Sequence, residues 1–221
     1  MSLPRPAAVL FDLDGTLVDT APDFFGVVNQ LRQQAGLSAL DDQRIREQVS
    51  NGGTALTSLT WEISPEADGF AAKRQLLLDC YEQYIGSRCQ LFQGFESLLA
   101  RLNNSNIAWG IVTNKPRRYT ELLLQRMPLT SPVVVCPEDV NHAKPHPEPL
   151  LLAAQQLQLE PAHCWYIGDH QRDIDAGRAA GMPTLGCRFG YVSDPTEADQ
   201  WQADAVLDQP QDLQRLLSHY L

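Results

Sequence analysis

The chain has 221 residues, enough for one large domain or for a core with a smaller inserted domain, since a domain averages about 150 residues. Hydrophobic residues make up 43% of the chain and charged residues 20%, which is typical of a globular protein and excludes a collagen or a disordered linker. The 17 basic and 27 acidic residues give a formal net charge of −10, which opposes general binding to nucleic acid, and no apolar run approaches the roughly 18 residues of a membrane span.

The amino-terminal segment contains Arg5 and a short apolar stretch, which Asp12 interrupts before any cleavage site of small residues. This pattern differs from that of a secretory signal peptide, so we expect a cytoplasmic protein. The five cysteines are odd in number and show no C-x-x-C spacing, which argues against a disulfide framework or a zinc site. We expect them to be reduced and mostly buried.

The first predicted element is a strand at residues 7–11, because a short apolar run there stops at Asp12. Between residues 20 and 89 the apolar residues recur at helical spacing, and no strand-like segment is present. Gly36 is the predicted stop signal of the first helix in this stretch. Four helices are predicted there, at residues 22–35, 42–49, 54–61 and 70–85.

After residue 90, strand and helix patterns alternate to the end of the chain. The predicted strands lie at residues 107–112, 133–136, 164–167, 184–187 and 205–207. The predicted helices lie at residues 95–103, 117–125, 148–157, 174–180 and 211–221. This alternation predicts an α/β fold with a doubly wound, Rossmann-like parallel sheet and helices on both faces. We expect an α/β core of residues 1–17 and 90–221, interrupted by an inserted helical cap domain of residues 18–89.

Two aspartates follow the first predicted strand. Asp12 ends the strand and Asp14 lies two residues later, so both carboxylates can face the same side while Leu13 points into the core. Gly15 permits a tight turn directly after them. Two carboxylates this close repel each other unless a cation or a shared proton holds them, which points to Mg²⁺. An acidic turn is the plainer interpretation, but such turns rarely follow a wholly apolar run.

The segment from Asp12 to Thr20 resembles the opening motif, D-x-D-G-T-[LV]-x-D-[ST], of the haloacid dehalogenase-like hydrolase superfamily. Three later segments resemble the remaining motifs of that family, in order and each at or just beyond a predicted strand end. These are Thr113–Pro116, Lys144-Pro145, and Gly168-Asp169 with Asp173. Taken singly, a strand-end threonine is more often a helix cap and a loop lysine is more often a solvated charge. The resemblance depends on the presence of all four motif segments in the family's order along the chain.

The resemblance implies a phosphatase that acts through an aspartyl-phosphate, with Mg²⁺ as its cofactor. Asp12 is then the nucleophile, and Asp14 the general acid and base. The implied phosphate-binding residues are Thr113, Asn114 and Lys144. The implied metal-binding residues are Asp12, Asp14 through its main-chain carbonyl, and Asp169, with Asp173 supporting the metal or the lysine from behind. His146 and His170 depart from the commoner family pattern and receive no catalytic role.

Other classes of protein that share these catalytic residues are alternatives to a phosphatase. Asp14 argues against a haloacid dehalogenase, whose halide leaving group needs no acid. A phosphonatase uses a cap lysine, and the insert contains only Lys73, which we expect on a solvated helix face. A β-phosphoglucomutase-like phosphosugar mutase stays open, because the insert contains five arginines, although it contains no histidine. A catalytically silent scaffold with the same fold also stays open, although such proteins usually lose one of the catalytic aspartates or the lysine.

The size and position of the insert resemble those of phosphoglycolate phosphatases, and several segments resemble the N-acetylmuramic acid 6-phosphate phosphatases. These segments are residues 45–53, 109–116, 144–152, 190–191 and 201–204. The leading substrates are therefore N-acetylmuramic acid 6-phosphate and 2-phosphoglycolate. The expected partner is a small phosphorylated metabolite, with no nucleic acid, membrane or stable protein partner. Arg46 is expected either to meet a substrate carboxylate or to lie on the surface, and Asn51–Gly53 is either a polar loop that approaches the ligand or a plain turn.

Overall fold

The computed structural model describes residues 3–127, 129–218 and 220–221 of the chain. Its eight strands are β1 (Ala8–Phe11), β2 (Val18–Asp19), β3 (Gln90–Leu91), β4 (Ala108–Val112), β5 (Val134–Val135), β6 (Cys164–Gly168), β7 (Thr184–Cys187) and β8 (Ala205–Leu207). Its α-helices are α1 (Ala21–Gln34), α2 (Asp42–Val49), α3 (Gly52–Trp61), α4 (Phe70–Tyr84), α5 (Phe95–Asn103), α6 (Arg117–Arg126), α7 (Glu148–Gln156), α8 (Gln171–Ala179) and α9 (Pro210–Leu217). Short 3₁₀ helices lie at Pro137–Asp139, Pro161–His163 and Pro195–Gln200.

Six strands form one parallel sheet in the order β5-β4-β1-β6-β7-β8. The central strand β1 is buried along its whole length and alternates its side chains between the two faces. Val9 and Phe11 pack in a cluster that contains residues of α5 and α9, whereas Ala8 and Leu10 pack with residues of α7 and α8. Helices therefore cover both faces, and the predicted doubly wound α/β fold is confirmed.

The helices α1 to α4 all lie between β2 and β3 and pack against one another. β2 and β3 pair in antiparallel fashion, with Val18 opposite Leu91 and Asp19 opposite Gln90. The chain thus leaves the sheet and returns to it side by side. This pair was not predicted, because two-residue strands carry no readable period. The boundaries of the inserted domain stay a prediction.

Three predicted element boundaries differ from the structure by two residues or more, and several others differ by one. α8 begins at Gln171 instead of residue 174, because the His170 side chain accepts the Arg172 main-chain N–H and so caps an earlier start. α3 begins at Gly52 instead of residue 54, so Gly52 and Gly53 belong to a helix rather than to a loop. α9 ends at Leu217 instead of residue 221. The last of these predictions also covers residue 219, which lies outside the described residues.

The five cysteines are free in this structure, and three of them are buried. Among the described residues, no helix combines the length and the apolar character that crossing a membrane requires.

Candidate active site

The carboxyl ends of β1, β4 and β6 meet at one edge of the sheet, and the predicted site residues follow them. Asp12 comes directly after β1, Thr113 directly after β4 and Asp169 directly after β6. A cavity of about 360 Å³ opens at this edge. Six of the predicted site residues line it, namely Asp12, Asp14, Thr113, Asn114, Lys144 and Asp173. The seventh, Asp169, lines a smaller neighbouring cavity of about 160 Å³.

Asp12, Asp169 and Asp173 form a compact cluster, in which one carboxylate oxygen from each lies within 4.8 Å of the others. Burial raises the pKa of Asp12 from its usual 3.8 to about 6, because the Lys144 ammonium only partly offsets the lost hydration. Burial, together with the charges of Asp12 and Asp173, also raises the pKa of Asp169 well above its usual value. Buried carboxylates that repel one another and present hard oxygen donors fit a divalent cation.

Asp169 is held on both of its oxygens. The Thr16 hydroxyl donates to one oxygen at 3.1 Å, and the Tyr191 main-chain N–H donates to the other at 2.8 Å. The loop after β7 approaches so closely that a Cβ at Gly190 would lie 2.2 Å from the Asp169 Cβ. Only glycine fits there, so this loop fixes the position of the carboxylate.

The Lys144 ammonium has four hydrogen-bond partners in the site. Its Nζ contacts Asp12 Oδ1 at 2.9 Å, Asp173 Oδ1 at 2.8 Å, the Val112 carbonyl at 3.0 Å and the Tyr166 hydroxyl at 2.7 Å. Burial opposes the charge of this ammonium, but the two aspartates outweigh that effect and the pKa of Lys144 is raised.

The Asn114 side chain clamps the main chain of Lys144. Its amide nitrogen donates to the Lys144 carbonyl at 2.9 Å, and its amide oxygen accepts the Lys144 main-chain N–H at 3.1 Å. These two bonds join the loop after β4 to the loop before α7. They orient the lysine toward the carboxylates.

Asp14 faces a second lysine, Lys115, to which the sequence motifs assign no role. Its Oδ1 accepts from the Thr20 hydroxyl at 2.5 Å and from Lys115 Nζ at 3.0 Å. Only 7% of the Lys115 side chain is exposed, and its Nζ lies 5.0 Å from the centre of the Tyr81 ring. The available signal was that Lys115 directly follows Asn114 in a chain with only three lysines.

The helices α1 to α4 supply the other wall of the cavity. This wall consists of Phe24, Val49–Thr54, Arg74, Leu78 and Tyr81. The rings of Phe24 and Tyr81 stack with their centres 4.0 Å apart, which makes one part of the wall flat and apolar. The residues 51–53 therefore do lie at the cavity, as the start of α3 and the turn before it.

Arg46 lies outside the lining of this cavity, and its guanidinium is committed elsewhere. It donates to the two carboxylate oxygens of Asp19 at 2.7 and 3.1 Å. The guanidinium also lies over the Phe25 and Tyr191 rings. A substrate carboxylate would have to displace Asp19 to reach this arginine. The pairing of Arg46 with Asp19 therefore argues against the interpretation in which Arg46 binds a substrate carboxylate.

His170 caps α8 and contacts the guanidinium of Arg172, whose Nε lies 3.2 Å from His170 Nδ1. Burial and the neighbouring Arg172 charge lower the pKa of His170 below its usual 6.5, so the ring is neutral at pH 7 and accepts these bonds. His146 lies on the surface, where its Nδ1 accepts the Glu148 main-chain N–H. Both histidines have structural partners.

Known proteins resemble this chain over nearly its whole length. It is 42% identical over 219 residues to an N-acetylmuramic acid 6-phosphate phosphatase of Pseudomonas putida, with 98% of each chain covered. It is 39% identical over 214 residues to a phosphoglycolate phosphatase of Xanthomonas campestris pv. campestris, covering 94% of this chain and 95% of the other.

A solved structure of a haloacid dehalogenase family hydrolase from Deinococcus radiodurans R1, with bound phosphate and sodium, superposes with a TM-score of 0.75. Its sequence identity is 26%, and the match covers 99% of this chain and 97% of the other. The pattern of the family described as "Haloacid dehalogenase-like hydrolase" matches residues 9–187. The chain therefore belongs to the haloacid dehalogenase-like hydrolase family and is a phosphomonoester hydrolase within it.

Proposed function

We propose that this phosphatase hydrolyses a small phosphorylated metabolite in a Mg²⁺-dependent reaction, through an aspartyl-phosphate on Asp12. The position of Asp12 carries the proposal. Its carboxylate follows the central strand, lines the cavity with 13% of the side chain exposed, and contacts the Lys144 ammonium at 2.9 Å. A carboxylate and a phosphoryl group repel each other, so a fixed cation beside the nucleophile is what the attack requires.

Two displacements at phosphorus complete the reaction. An oxygen of Asp12 forms a bond to phosphorus while the bond from phosphorus to the ester oxygen breaks, and the ester oxygen takes its proton from Asp14. A water molecule then attacks phosphorus and gives its proton to Asp14. The bond between phosphorus and Asp12 breaks, and orthophosphate leaves. Lys115, 3.0 Å from Asp14, stabilises the ionised form of Asp14 between the two proton transfers.

The remaining cavity residues bind the phosphoryl oxygens. The Thr113 hydroxyl oxygen accepts the Lys115 main-chain N–H at 3.0 Å, which leaves its own proton free for a phosphoryl oxygen. The main-chain N–H of Asn114 is the second donor. The protons of the Lys144 ammonium already go to Asp12, Asp173 and two other acceptors, so Lys144 attracts the phosphoryl group through its positive charge. Loss of either donor or of this charge is expected to weaken stabilisation of the charge that develops in the reaction.

The expected holders of Mg²⁺ are Asp12, Asp169 and the main-chain carbonyl of Asp14. When bound there, the ion neutralises charge on the phosphoryl oxygens and on the nucleophile. Asp173 is better suited to support Lys144 from behind, because its carboxylate accepts a hydrogen bond from the Lys144 ammonium itself and two more from neutral groups. The donors are the Lys144 ammonium, the Tyr166 hydroxyl and the main-chain N–H of His170.

We propose N-acetylmuramic acid 6-phosphate as the first candidate substrate and 2-phosphoglycolate as the second, because relatives that bear both names match nearly the whole chain. The cavity of about 360 Å³ lies within the range that holds drug-sized ligands. A phosphorylated two-carbon acid would leave most of this space empty. Cavity size therefore favours the sugar phosphate.

We also propose that residues 18–89 act as a cap over the catalytic core of residues 1–17 and 90–221. The support is that the four helices between β2 and β3 supply one wall of the cavity while the loops after β1 and β4 supply the other. Such a division excludes water when the walls close on a substrate.

Phosphate release from the two candidate substrates, measured side by side with and without Mg²⁺, tests the proposal. We expect release to require Mg²⁺ and to fall by at least about 1,000-fold in Asp12→Asn, which keeps the shape of the side chain and removes the nucleophile. Mass spectrometry of acid-quenched protein is expected to detect a phosphoryl group on Asp12. Release by Asp12→Asn at the parental rate would contradict the mechanism, and no release from either substrate would favour the mutase or the silent scaffold.

A further inference from the structure

We propose that Arg74 of α4 binds a second anionic group of the substrate, a carboxylate, on the α1–α4 wall of the cavity. The inference rests on the phosphatase function proposed above. It narrows the substrate to phosphomonoesters that also carry a carboxylate, and it makes Arg74 a specificity-determining residue.

Four lysine and arginine side chains line the cavity, and three of them have partners. Lys144 and Lys115 form ion pairs with aspartates of the site, and Arg172 donates hydrogen bonds to the turn between α2 and α3. In the part of the chain that the structure describes, Arg74 has neither a hydrogen bond nor an ion pair. An unpaired guanidinium at a ligand cavity is available to an anion that arrives with the ligand.

The packing of α3 against α4 leaves room for this guanidinium. A Cβ at Gly53 would lie 3.3 Å from Leu78 Cδ2, which is tighter than most real contacts, and 3.6 Å from Arg74 Nε. The glycine thus lets the start of α3 lie directly beside the arginine. The guanidinium offers two parallel N–H donors, the geometry that a carboxylate accepts with both oxygens.

Two buried hydroxyl groups on the same wall lack a hydrogen-bond partner among the described residues. They belong to Tyr81 and Ser50, and both residues line the cavity. Buried polar atoms are nearly always paired in folded proteins, so these two indicate a ligand with polar groups beyond its phosphate. A sugar phosphate with an attached carboxylic acid supplies both the anion for Arg74 and oxygens for these hydroxyls.

Both candidate substrates carry a carboxylate, at different distances from the phosphate. In 2-phosphoglycolate the carboxylate is one carbon from the ester oxygen, and in N-acetylmuramic acid 6-phosphate it is on the lactyl group across the sugar ring. Because Arg74 belongs to a different wall from Thr113 and Lys144, either compound is recognised only if its carboxylate reaches that wall. The experiment therefore compares the two acids.

The test measures kcat/KM for each acid and for its methyl ester, in the parent, Arg74→Gln and Arg74→Lys. We expect Arg74→Gln to lower kcat/KM for the recognised acid by roughly 10- to 100-fold, the value of a lost charge-assisted pair. Esterification is expected to cost the parent a similar factor and to cost Arg74→Gln little. Arg74→Lys retains the charge and is expected to keep part of the preference for the acid.

Arg44→Gln is the matched control, because Arg44 is an exposed arginine of α2 outside the cavity lining. It removes the same charge and is expected to keep the parental ratio of acid to ester. If Arg74→Gln also keeps the parental ratio for both acids, the inference is wrong while the proposed function stands. If the parent releases phosphate from none of the four compounds, the proposed function fails and the inference fails with it.

Discussion

Burial and neighbouring negative charges destabilise the ionised Asp12 carboxylate, and protonation removes this destabilisation. Burial raises the pKa of Asp12 from 3.8 to about 6; Lys144 opposes this shift, and the charges of Asp173 and Asp14 add to it. Because the folded-state pKa lies above the unfolded value, the folded chain holds the proton more tightly between about pH 4 and about pH 6. The free energy of unfolding therefore falls as the pH rises through that window. At pH 7 the ionised carboxylate destabilises the metal-free fold.

We expect Asp12→Asn to be more stable than the parent at pH 7 in the presence of a chelator, by about 1–3 kcal/mol, because asparagine keeps the shape and cannot ionise. Urea denaturation of both proteins at pH 7 and at pH 4 measures the difference, which should shrink at the lower pH. Added Mg²⁺ should stabilise the parent more than the variant. A less stable variant at pH 7 would mean that the attraction to Lys144 outweighs burial.

For single residues, the sequence predicted where the site residues lie in the fold better than it predicted which side chains contact each other. The motifs place Asp12, Thr113 and Asp169 at strand ends, and parallel strands bring such ends to one edge of a sheet. The pairing of Lys115 with Asp14 joins residues 101 positions apart, and no local pattern encodes that distance. Arg46 and Arg74 are likewise equivalent in the sequence. Only the structure shows that Arg46 of α2 pairs with Asp19 of β2, whereas Arg74 of α4 has no ion pair among the described residues.

The capping residues, rather than the first apolar residue of the periodic pattern, mark where the helices α8 and α2 begin. The predicted start of α8 came from the first buried apolar residue, whereas the helix begins with polar residues that His170 and Asp173 cap. α2, with Asp41 accepting the Arg44 main-chain N–H, begins where the sequence predicts, at Asp42. A histidine cap is rarer than an aspartate cap, which explains the different outcome.

Asp23, in the first turn of α1, joins this helix to the segment that returns to the sheet. Its carboxylate is buried and accepts the main-chain N–H groups of Gly86, Arg88 and Cys89 at 2.6, 2.7 and 3.2 Å. These bonds cross the point where the α1–α4 segment begins and ends. They hold the two connections together beside the β2–β3 pair.

We expect Asp23→Ala to lower the free energy of unfolding by about 2–4 kcal/mol, because three partly buried main-chain N–H groups lose a charged acceptor. Asp42→Ala is the matched control, since Asp42 also lies in the first turn of a helix but is exposed. The control removes the same favourable interaction with a helix dipole, worth about 0.3–1 kcal/mol. Equal losses in the two variants, measured by urea denaturation, would show that the bonds to the returning segment contribute nothing.

For the whole molecule, Arg172 links the two walls of the cavity. It lies in α8, beyond the catalytic end of β6, and its guanidinium donates to the Ser50 carbonyl at 3.1 Å and to Asn51 Oδ1 at 3.3 Å. These contacts join residues more than 120 positions apart and span the mouth of the site. The guanidinium also donates from its Nε to Nδ1 of the neutral His170 ring at 3.2 Å. In the cap closure proposed above, this arginine is placed to favour the arrangement in which α1–α4 lie over the sheet.

We expect Arg172→Gln to weaken closure by about 1–2 kcal/mol, for the loss of two partly exposed hydrogen bonds, and so to lower kcat/KM by roughly 5- to 30-fold. The loss should be the same for an acid substrate and its methyl ester, because closure does not depend on the carboxylate. That equality distinguishes Arg172 from Arg74, whose loss depends on the acid. Arg178→Gln is the control, since Arg178 lies in the same helix but donates to Gln202, away from the cavity. A loss confined to the acid would instead make Arg172 a carboxylate-binding residue.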